Sequence, residues 1–548
     1  MHRLFNTHYI RKTYEANGLW DLEAGDYRGK ITVPSCWEVI PQLASYKGKG
    51  VYTKVLEFGG NVRLHFKGVS HTADVYCDGE HVAHHYNAYT PFSVDLHRKY
   101  GKHEIRVEVD NSYSPESTLH KENDYYTYGG IIRPVIVEEL TDIFIEQMHF
   151  TPFLKNGSWK AAINLNIRSL VQEAGKVNLR VQLGEKECIA EDIWIEGRAC
   201  TVCRYECSFP EASAYFMEHP QMYDLKATLY QGGIAVDDLI DKVGFREISI
   251  DGKNILMNGQ KIRLRGFNRH EDYNVMGSSI PLQAMMRDIA LIKESGANAV
   301  RTCHYPNDEL FLDLCDEYGL LVWEEGHARG LAMEQMEHPN FLPQSLQCID
   351  EMIDNHYNHP SIFCWGILNE CVSETQFGRT CYGKLFERIA GKDVSRPKTS
   401  ASCRHFRDIT LDLQDIISMN IYPQWYSQDD VRETLDRMKA WIADTGNGDK
   451  PLIISEIGAG AVYGYRSDTN CHWSEEYQAR ALTRQLSAVL ADQDISAVFI
   501  WQFCDGRVDD SWFAQRPKAQ NNKGVVDEFR RKKLAYSAVQ KLFTAADR

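Results

Sequence analysis

From residue 249 onward the chain alternates short apolar runs with amphipathic stretches, and this rhythm limits the fold more than any other feature. Eight strand candidates can be read: 262–270, 299–305, 319–325, 361–370, 398–403, 415–422, 451–456 and 497–505. Between them lie segments with helical spacing of apolar residues, such as LQAMMRDIALIKESG (282–296), DELFLDLCDEYG (308–319) and EEYQARALTRQLSAVL (475–490). Apolar strands separated by amphipathic helices are βα units. Eight of them in about 300 residues predict a parallel (β/α)8 barrel over 249–548.

The chain ahead of the barrel is patterned differently. Its 548 residues exceed what one core fills, since chains beyond about 250–300 residues divide into domains. Residues 1–140 alternate polar and apolar positions in short runs, among them NVRLHFKGV (61–69), TADVYCDGEHVA (72–83) and HEIRVEVDN (103–111). Period-two runs with frequent turns predict a β-sandwich. Residues 141–248 repeat the pattern in AAINLNIRSL, KVNLRVQLGE and DLKATLYQGG, and predict a second, smaller sandwich. The formal net charge of −15 argues against a nucleic-acid or anionic-membrane partner, though a few local cations still suffice for an anionic substrate. No run of about 18 apolar residues is present, and the first residues lack the apolar stretch of a signal peptide. With fifteen cysteines, an odd number, the chain reads as a cytoplasmic protein with reduced thiols.

Active sites of (β/α)8 barrels lie at the C-terminal ends of the strands. The polar residues that end the apolar runs here are His270, Glu271, His304, Glu324, Glu325, Asn369, Glu370, Asn420, Tyr422, Glu456, Trp501 and Asp505. Glu370 ends the fourth run and Glu456 the seventh, so the two can face each other across the barrel mouth. Glycoside hydrolysis needs such a pair, one carboxyl protonated for the leaving oxygen and one ionised. Their separation, about 5–5.5 Å for retention and more than about 6.5 Å for inversion, is not a property of the sequence. Strand-end glutamates also cap helices or pair with arginine, and Glu324 and Glu325 are set aside on that ground.

Four segments carry a family resemblance: GFNRHED (266–272), GANAVRTCHYPNDELFLDLCDEYGLLVWEE (296–325), HPSIFCWGILNE (359–370) and PLIISEIGAG (451–460). They resemble glycoside hydrolase family 2, the group of β-galactosidases, β-glucuronidases and β-mannosidases, and the resemblance covers nearly the whole chain. It implies a jelly-roll-like sandwich, an immunoglobulin-like sandwich and a catalytic barrel. It also implies a retaining exo-β-glycosidase, with Glu370 as acid/base, Glu456 as nucleophile and Asn369 and Asn420 at the sugar. Tyr422 resembles the tyrosine that hydrogen-bonds the nucleophile, Trp501 the floor of the sugar site, and His304 a sugar-site histidine. No metal or other cofactor is implied, and His270 and His304 lack the i, i+4 spacing of a zinc helix. A dimer or tetramer is carried over from relatives.

Within the family the chain is most similar to bacterial β-glucuronidases. QNNKGVVDEFRRKKLAY (520–536) matches their N-x-K motif, which puts Asn521 and Lys523 on the sugar carboxylate. NIYPQWY (420–426) places Tyr426 near that carboxylate, and HKENDYYTYGGIIRPV (120–135) places Asp124 on sugar hydroxyls. An ammonium and an amide suit a uronate, and a desolvated ammonium left unpaired rejects a neutral sugar. The expected substrate is therefore a terminal β-D-glucuronide. Two features depart from the pattern. Arg516 stands one place off the expected arginine before N-x-K, and the segment between Glu325 and His359 is short, which leaves the leaving-group side open. The rival readings are a β-galactosidase or β-galacturonidase of the same family and, in another class, a carbohydrate-binding protein with an inactive barrel.

Overall fold

The structure is a computed structural model that describes residues 2–546. Eight strands close a parallel barrel in chain order: β1 (Leu264–Arg269), β2 (Ala299–Thr302), β3 (Leu321–Glu325), β4 (Ile362–Asn369), β5 (Lys398–Ser402), β6 (Ile417–Asn420), β7 (Leu452–Ile457) and β8 (Ile495–Ile500), with β8 paired back onto β1. Apart from the half-buried Lys398, every residue of these strands is buried. One strand face fills the barrel and the other meets the helices, which is why the runs are apolar throughout rather than alternating. All eight sequence candidates correspond to barrel strands. Several candidates ran too far: residues 303–305, 421–422 and 501–505 have left the ladder. Those positions carry the polar side chains of the barrel mouth, and leaving the ladder is what frees them to line it.

The outer layer is formed by α1 (Leu282–Glu294), α2 (Glu309–Tyr318), the short α3 (Met333–Glu337), α4 (Phe341–His356), α5 (Gln376–Lys392), α6 (Val431–Asp444), α7 (Glu475–Ala491) and α8 (Leu534–Ala545). The limits of α2 are written in its sequence. Asp308 accepts the Leu310 amide as N-cap, and Gly319 closes the helix at φ 63°. A Cβ at Gly319 would stand 2.0 Å from the Met217 carbonyl oxygen, so the position excludes any larger residue.

Ahead of the barrel, the long strands Lys49–Phe66 and Phe92–Asp110 pair antiparallel at the centre of the first sheet. Trp20, Tyr52, Leu64, Val75 and Val107 fill its core. The next unit packs a sheet of Ile143–Lys155, Ser158–Ser169 and Cys200–Ser208 against a sheet of Lys186–Ile195, Gly175–Leu183, Tyr223–Gln231 and Ile234–Val243. Burial alternates strictly along Ser158–Ser169, as expected for a strand with one face in a sandwich core.

The first sandwich reaches the barrel mouth through residues 117–135. Within that loop Asn123, Asp124, Tyr125, Tyr126 and Tyr128 are all buried. Tyr89 stacks on Tyr305 of the barrel with ring centroids 3.7 Å apart. Arg133 Nη2 donates to Glu271 Oε2 at 2.7 Å and to the Pro306 carbonyl at 2.8 Å, while Nη1 donates to the Tyr89 carbonyl at 2.7 Å. Both charges are almost fully buried. Removing one partner of such a pair costs about 3–5 kcal/mol, because the other charge stays buried and unpaired. Arg133→Ala is therefore expected to lower the urea midpoint by a corresponding amount, and a wild-type midpoint would show that this contact does not hold sandwich to barrel.

Candidate active site

A cavity of about 350 Å3 opens at the C-terminal ends of the barrel strands. Its chemistry starts one layer down, at Arg301 on β2. The guanidinium is fully buried. Nε and Nη2 donate to Glu325 at 2.9 and 2.8 Å, Nη1 to Asn268 at 2.9 Å and to Glu456 Oε1 at 3.1 Å, and Nη2 also to Asn369 Oδ1 at 2.9 Å. Tyr422 OH donates to the other oxygen of Glu456 at 2.5 Å. Two donors thus fix the Glu456 carboxylate from β7 in one orientation. His304 donates from Nδ1 to Glu325 at 2.8 Å, which leaves its buried Nε2 without a hydrogen-bond partner in the protein, 3.9 Å from Glu456 Oε1. Trp501 lies nearly parallel to the His304 ring at 5.1 Å.

Glu370 follows the last residue of β4, with its backbone in the left-handed region at φ 55°. Such a conformation costs a non-glycine residue energy and is held by its surroundings. Here the Glu370 amide donates to the Ala401 carbonyl at 2.9 Å. Its side chain accepts from Asn420 Nδ2 at 2.8 Å, and Arg329 Nη2 stands 3.7 Å away. Asn369 keeps its Nδ2 buried and free of protein partners.

A third group of charges lies around Lys523. Its ammonium is buried and donates to Tyr426 OH at 2.8 Å, with the rings of Tyr422, Trp425 and Tyr426 within 6 Å. Among the described residues no carboxylate lies within ion-pair distance of it. Burial pushes the Lys523 amine below its usual value, and the ammonium in turn draws the Tyr426 phenol down against the opposing effect of burial. Asp124 arrives from the first sandwich. Arg516 Nη2 and Asn521 Nδ2 donate to its Oδ2 at 2.9 and 3.1 Å, and Arg329 Nη1 stands 3.2 Å from Oδ1. Burial favours the neutral acid, but Arg329, Arg516 and Lys523 outweigh it and hold Asp124 well below the usual carboxylate range.

Of the residues singled out in the sequence, Asp124, Glu370, Asn420, Tyr422, Tyr426, Glu456, Trp501 and Lys523 line the cavity. His304 and Asn369 stand behind that wall, tied to Arg301 and Glu325. Asn521 is spent on Asp124 and does not line the cavity. Glu325, set aside as a structural carboxylate, pairs with Arg301, and Glu324 accepts from His356 at 2.9 Å. Sequence reasoning missed Arg329, Cys403 and His405, which also line the cavity. Each follows a barrel strand closely, in GHARG after β3 and SCRH after β5, so the strand-end rule was the available signal. Arg516, off its expected spacing, nevertheless reaches the site through Asp124.

Burial, and next to it the negative charge of Glu370, pushes the Glu456 carboxyl up to about 7 against the pull of Arg301 and Tyr422. Two interacting carboxyls at a barrel mouth are what hydrolysis of a glycosidic bond uses, and they mark a glycoside hydrolase.

Comparison with known proteins gives the family. Residues 248–544, more than half of the chain, match the TIM barrel domain of glycosyl hydrolases family 2, and residues 18–140 match the sugar binding domain of the same family. The chain belongs to glycosyl hydrolases family 2. A solved structure of a GH2 β-galacturonidase from Eisenbergiella tayi, bound to galacturonate, is 48% identical and superposes with a TM-score of 0.97, covering 100% of this chain and 99% of that one. The β-glucuronidase of Sus scrofa is 26% identical over 96% of this chain and 89% of its own length. A β-galactosidase from Thermoanaerobacter pseudethanolicus is 31% identical over 68% of this chain and 49% of its own length. No helix among the described residues is long and apolar enough to cross a membrane.

The raised Glu456 carboxyl sets a pH dependence. As pH falls through about 7 it takes up a proton, so an activity that needs Glu456 ionised is expected to fall on the acid side, with an apparent pKa near that value in kcat/KM. Glu370→Gln removes the neighbouring negative charge that helps to raise it, so the acid limb of the residual cleavage of an aryl glycoside with a good leaving group should move to lower pH. An acid limb that does not move in this variant would contradict the interaction of the two carboxyls.

Proposed function

We propose that the protein is a retaining exo-β-uronidase that releases terminal uronic acids from β-D-uronides, with β-D-galacturonides preferred. The observation that carries the uronate is Lys523: a buried ammonium at the cavity wall, held by a phenol and three aromatic rings and without a carboxylate partner among the described residues. A buried unpaired charge is costly, and the carboxylate of a uronic acid relieves it through a charge-assisted hydrogen bond. Tyr426 adds a phenol at the same place. The galacturonide preference rests on similarity. The E. tayi β-galacturonidase shares 48% of residues along the whole chain, against 26% for the pig β-glucuronidase. The preference expected from the N-x-K motif, a glucuronide, thereby becomes the second choice.

In this reading the uronosyl ring lies against Trp501, its carboxylate toward Lys523 and its anomeric carbon between the two glutamates. Glu456, held by Arg301 and Tyr422, attacks the anomeric carbon as Glu370 gives its proton to the departing oxygen. Glu370 then takes a proton from water, and the water releases the sugar from Glu456. Asn369 Nδ2 and His304 Nε2, both buried and without a hydrogen-bond partner in the protein, are assigned to sugar hydroxyls. Asp124, acceptor-only and surrounded by cations, accepts a hydrogen bond from a sugar hydroxyl.

Matched p-nitrophenyl β-glycosides test the reading. The galacturonide is expected to lead, the glucuronide to follow, and the galactoside, glucoside and mannoside to trail by orders of magnitude. Lys523→Ala is expected to cost the uronides about 1.5–3 kcal/mol, roughly 10- to 150-fold in kcat/KM, more than the galactoside. Equal losses on charged and neutral sugars would remove Lys523 as the carboxylate reader, and a leading galactoside would overturn the uronate reading itself.

A further inference from the structure

The second sandwich is open along one side. Its two sheets end there in the strands Lys186–Ile195 and Cys200–Ser208, and no backbone ladder joins these two edges among the described residues. Side chains bridge them instead. Lys186 Nζ donates to the Ser208 carbonyl at 2.9 Å, Tyr205 OH donates to Glu191 Oε1 at 2.5 Å, and the Cys207 thiol donates to the Cys188 carbonyl at 3.8 Å. Cys188 and Cys207 are both free thiols in this structure.

Cys188 stands where it does because of a β-bulge. Ile189 pairs with Val181 and Glu187 with Gln182, so Cys188 is the extra residue between them. A bulge on an edge strand re-aims a side chain. The Cys188 thiol donates to the Val181 carbonyl at 3.3 Å and packs, half-buried, against the sandwich core to which Cys207 belongs. The two thiols are within hydrogen-bonding reach of each other. That contact draws the Cys207 thiol below its usual value, and the Lys186 ammonium adds to it against the effect of burial. The same contact, together with burial, pushes the Cys188 thiol up. One sulfur is thereby disposed to ionise and attack, and the other keeps its proton beside it. Cys203, four residues before Cys207 on the same strand, interacts with Tyr205 instead, and Cys200 is exposed.

We infer that Cys188 and Cys207 are a redox modification site, and that a peroxide converts them to a reversible disulfide that clasps the open side of the second sandwich. The Cys207 thiolate attacks one oxygen of hydrogen peroxide, the O–O bond breaks, and with one proton taken up the products are a sulfenic acid on Cys207 and water. The Cys188 sulfur then attacks the sulfenic sulfur and gives up its proton, and the sulfenic oxygen leaves as a second water. In sum the two thiols lose two electrons and two protons, and the peroxide is reduced to two waters. A thiol reductant such as glutathione restores both thiols by disulfide exchange. The bond joins edge strands of opposite sheets across 19 positions of chain, so it constrains the unfolded state of this unit and stabilises the folded one. Surroundings that keep thiols reduced leave the clasp open, and oxidising ones close it.

Trypsin separates the sulfurs concerned. Cleavage after Lys186, Arg198, Arg204 and Lys226 leaves Cys188 alone in 187–198, Cys200 and Cys203 together in 199–204, and Cys207 alone in 205–226. The full-length protein is treated with hydrogen peroxide, its remaining thiols are alkylated in denaturant, and its peptides are mapped without reduction. The expected product is a cross-linked pair of 187–198 with 205–226 that dithiothreitol releases. Cys207→Ser should abolish the pair, as should Cys188→Ser at the more exposed of the two positions, and Cys203→Ser should keep it. Oxidation should also raise the Tm of the wild type by about 2–5 °C, and leave that of either serine variant at Cys188 or Cys207 unmoved. Peptides 187–198 and 205–226 both recovered as alkylated thiols, a cross-link of either to 199–204 in place of the expected one, or sulfinic acid on Cys207 with Cys188 still a thiol would overturn the site. A cross-link formed with no rise in Tm would overturn the clasp.

Discussion

The catalytic end of this barrel is arranged around one buried cation. Arg301 sits in the interior with no access to water and places its donors on Glu325, Asn268, Asn369 and Glu456. Taking a guanidinium out of water is expensive, and the structure offsets that cost with two carboxylates and two amide oxygens in a planar fork that only arginine can serve. Because one side chain binds strands β1, β3, β4 and β7 together, Glu456, Asn369 and Glu325 are fixed with respect to one another. Tyr422 and Asn420 complete the arrangement from the β6 side.

The second constraint is that the site is not the barrel's alone. Asp124 comes from the first sandwich and is held by Arg516 and Asn521 from beyond β8 and by Arg329 from beyond β3. The buried Arg133–Glu271 pair and the Tyr89–Tyr305 stack fasten that sandwich to the barrel mouth nearby. The sandwich thus contributes a wall of the cavity. A charge network of this kind rewards simultaneous placement of all its members, since each buried ion is stable only with its counter-ion in place.

Much of this was legible in the sequence, and the limits have physical reasons. Barrel strands are buried on both faces, so their runs are uniformly apolar and stand out; the carboxylates that end them are conspicuous for the same reason. The sandwiches show themselves by period-two alternation, as Ser158–Ser169 does. What the sequence hides is partnership over distance. Arg301 looks like an ordinary residue inside AVRT, and nothing local indicates that its charge is matched by Glu456, 155 positions later. Asn521 was read with Lys523 as one motif, but residues two apart on an irregular segment need not share a direction, and its amide turns to Asp124. Arg329 and His405 lie in strand-end loops whose lengths do not announce which residue points inward.

The most direct test of the central claim, that Glu456 is the attacking carboxylate, is to trap it. A 2-deoxy-2-fluoro-β-uronosyl fluoride, incubated with the wild-type protein and followed by peptide mapping, reports which side chain carries the sugar. The account predicts one label per chain, on Glu456, and none in Glu456→Gln. A label on Glu370 or elsewhere, or turnover of the fluoride with no covalent adduct at all, would contradict it.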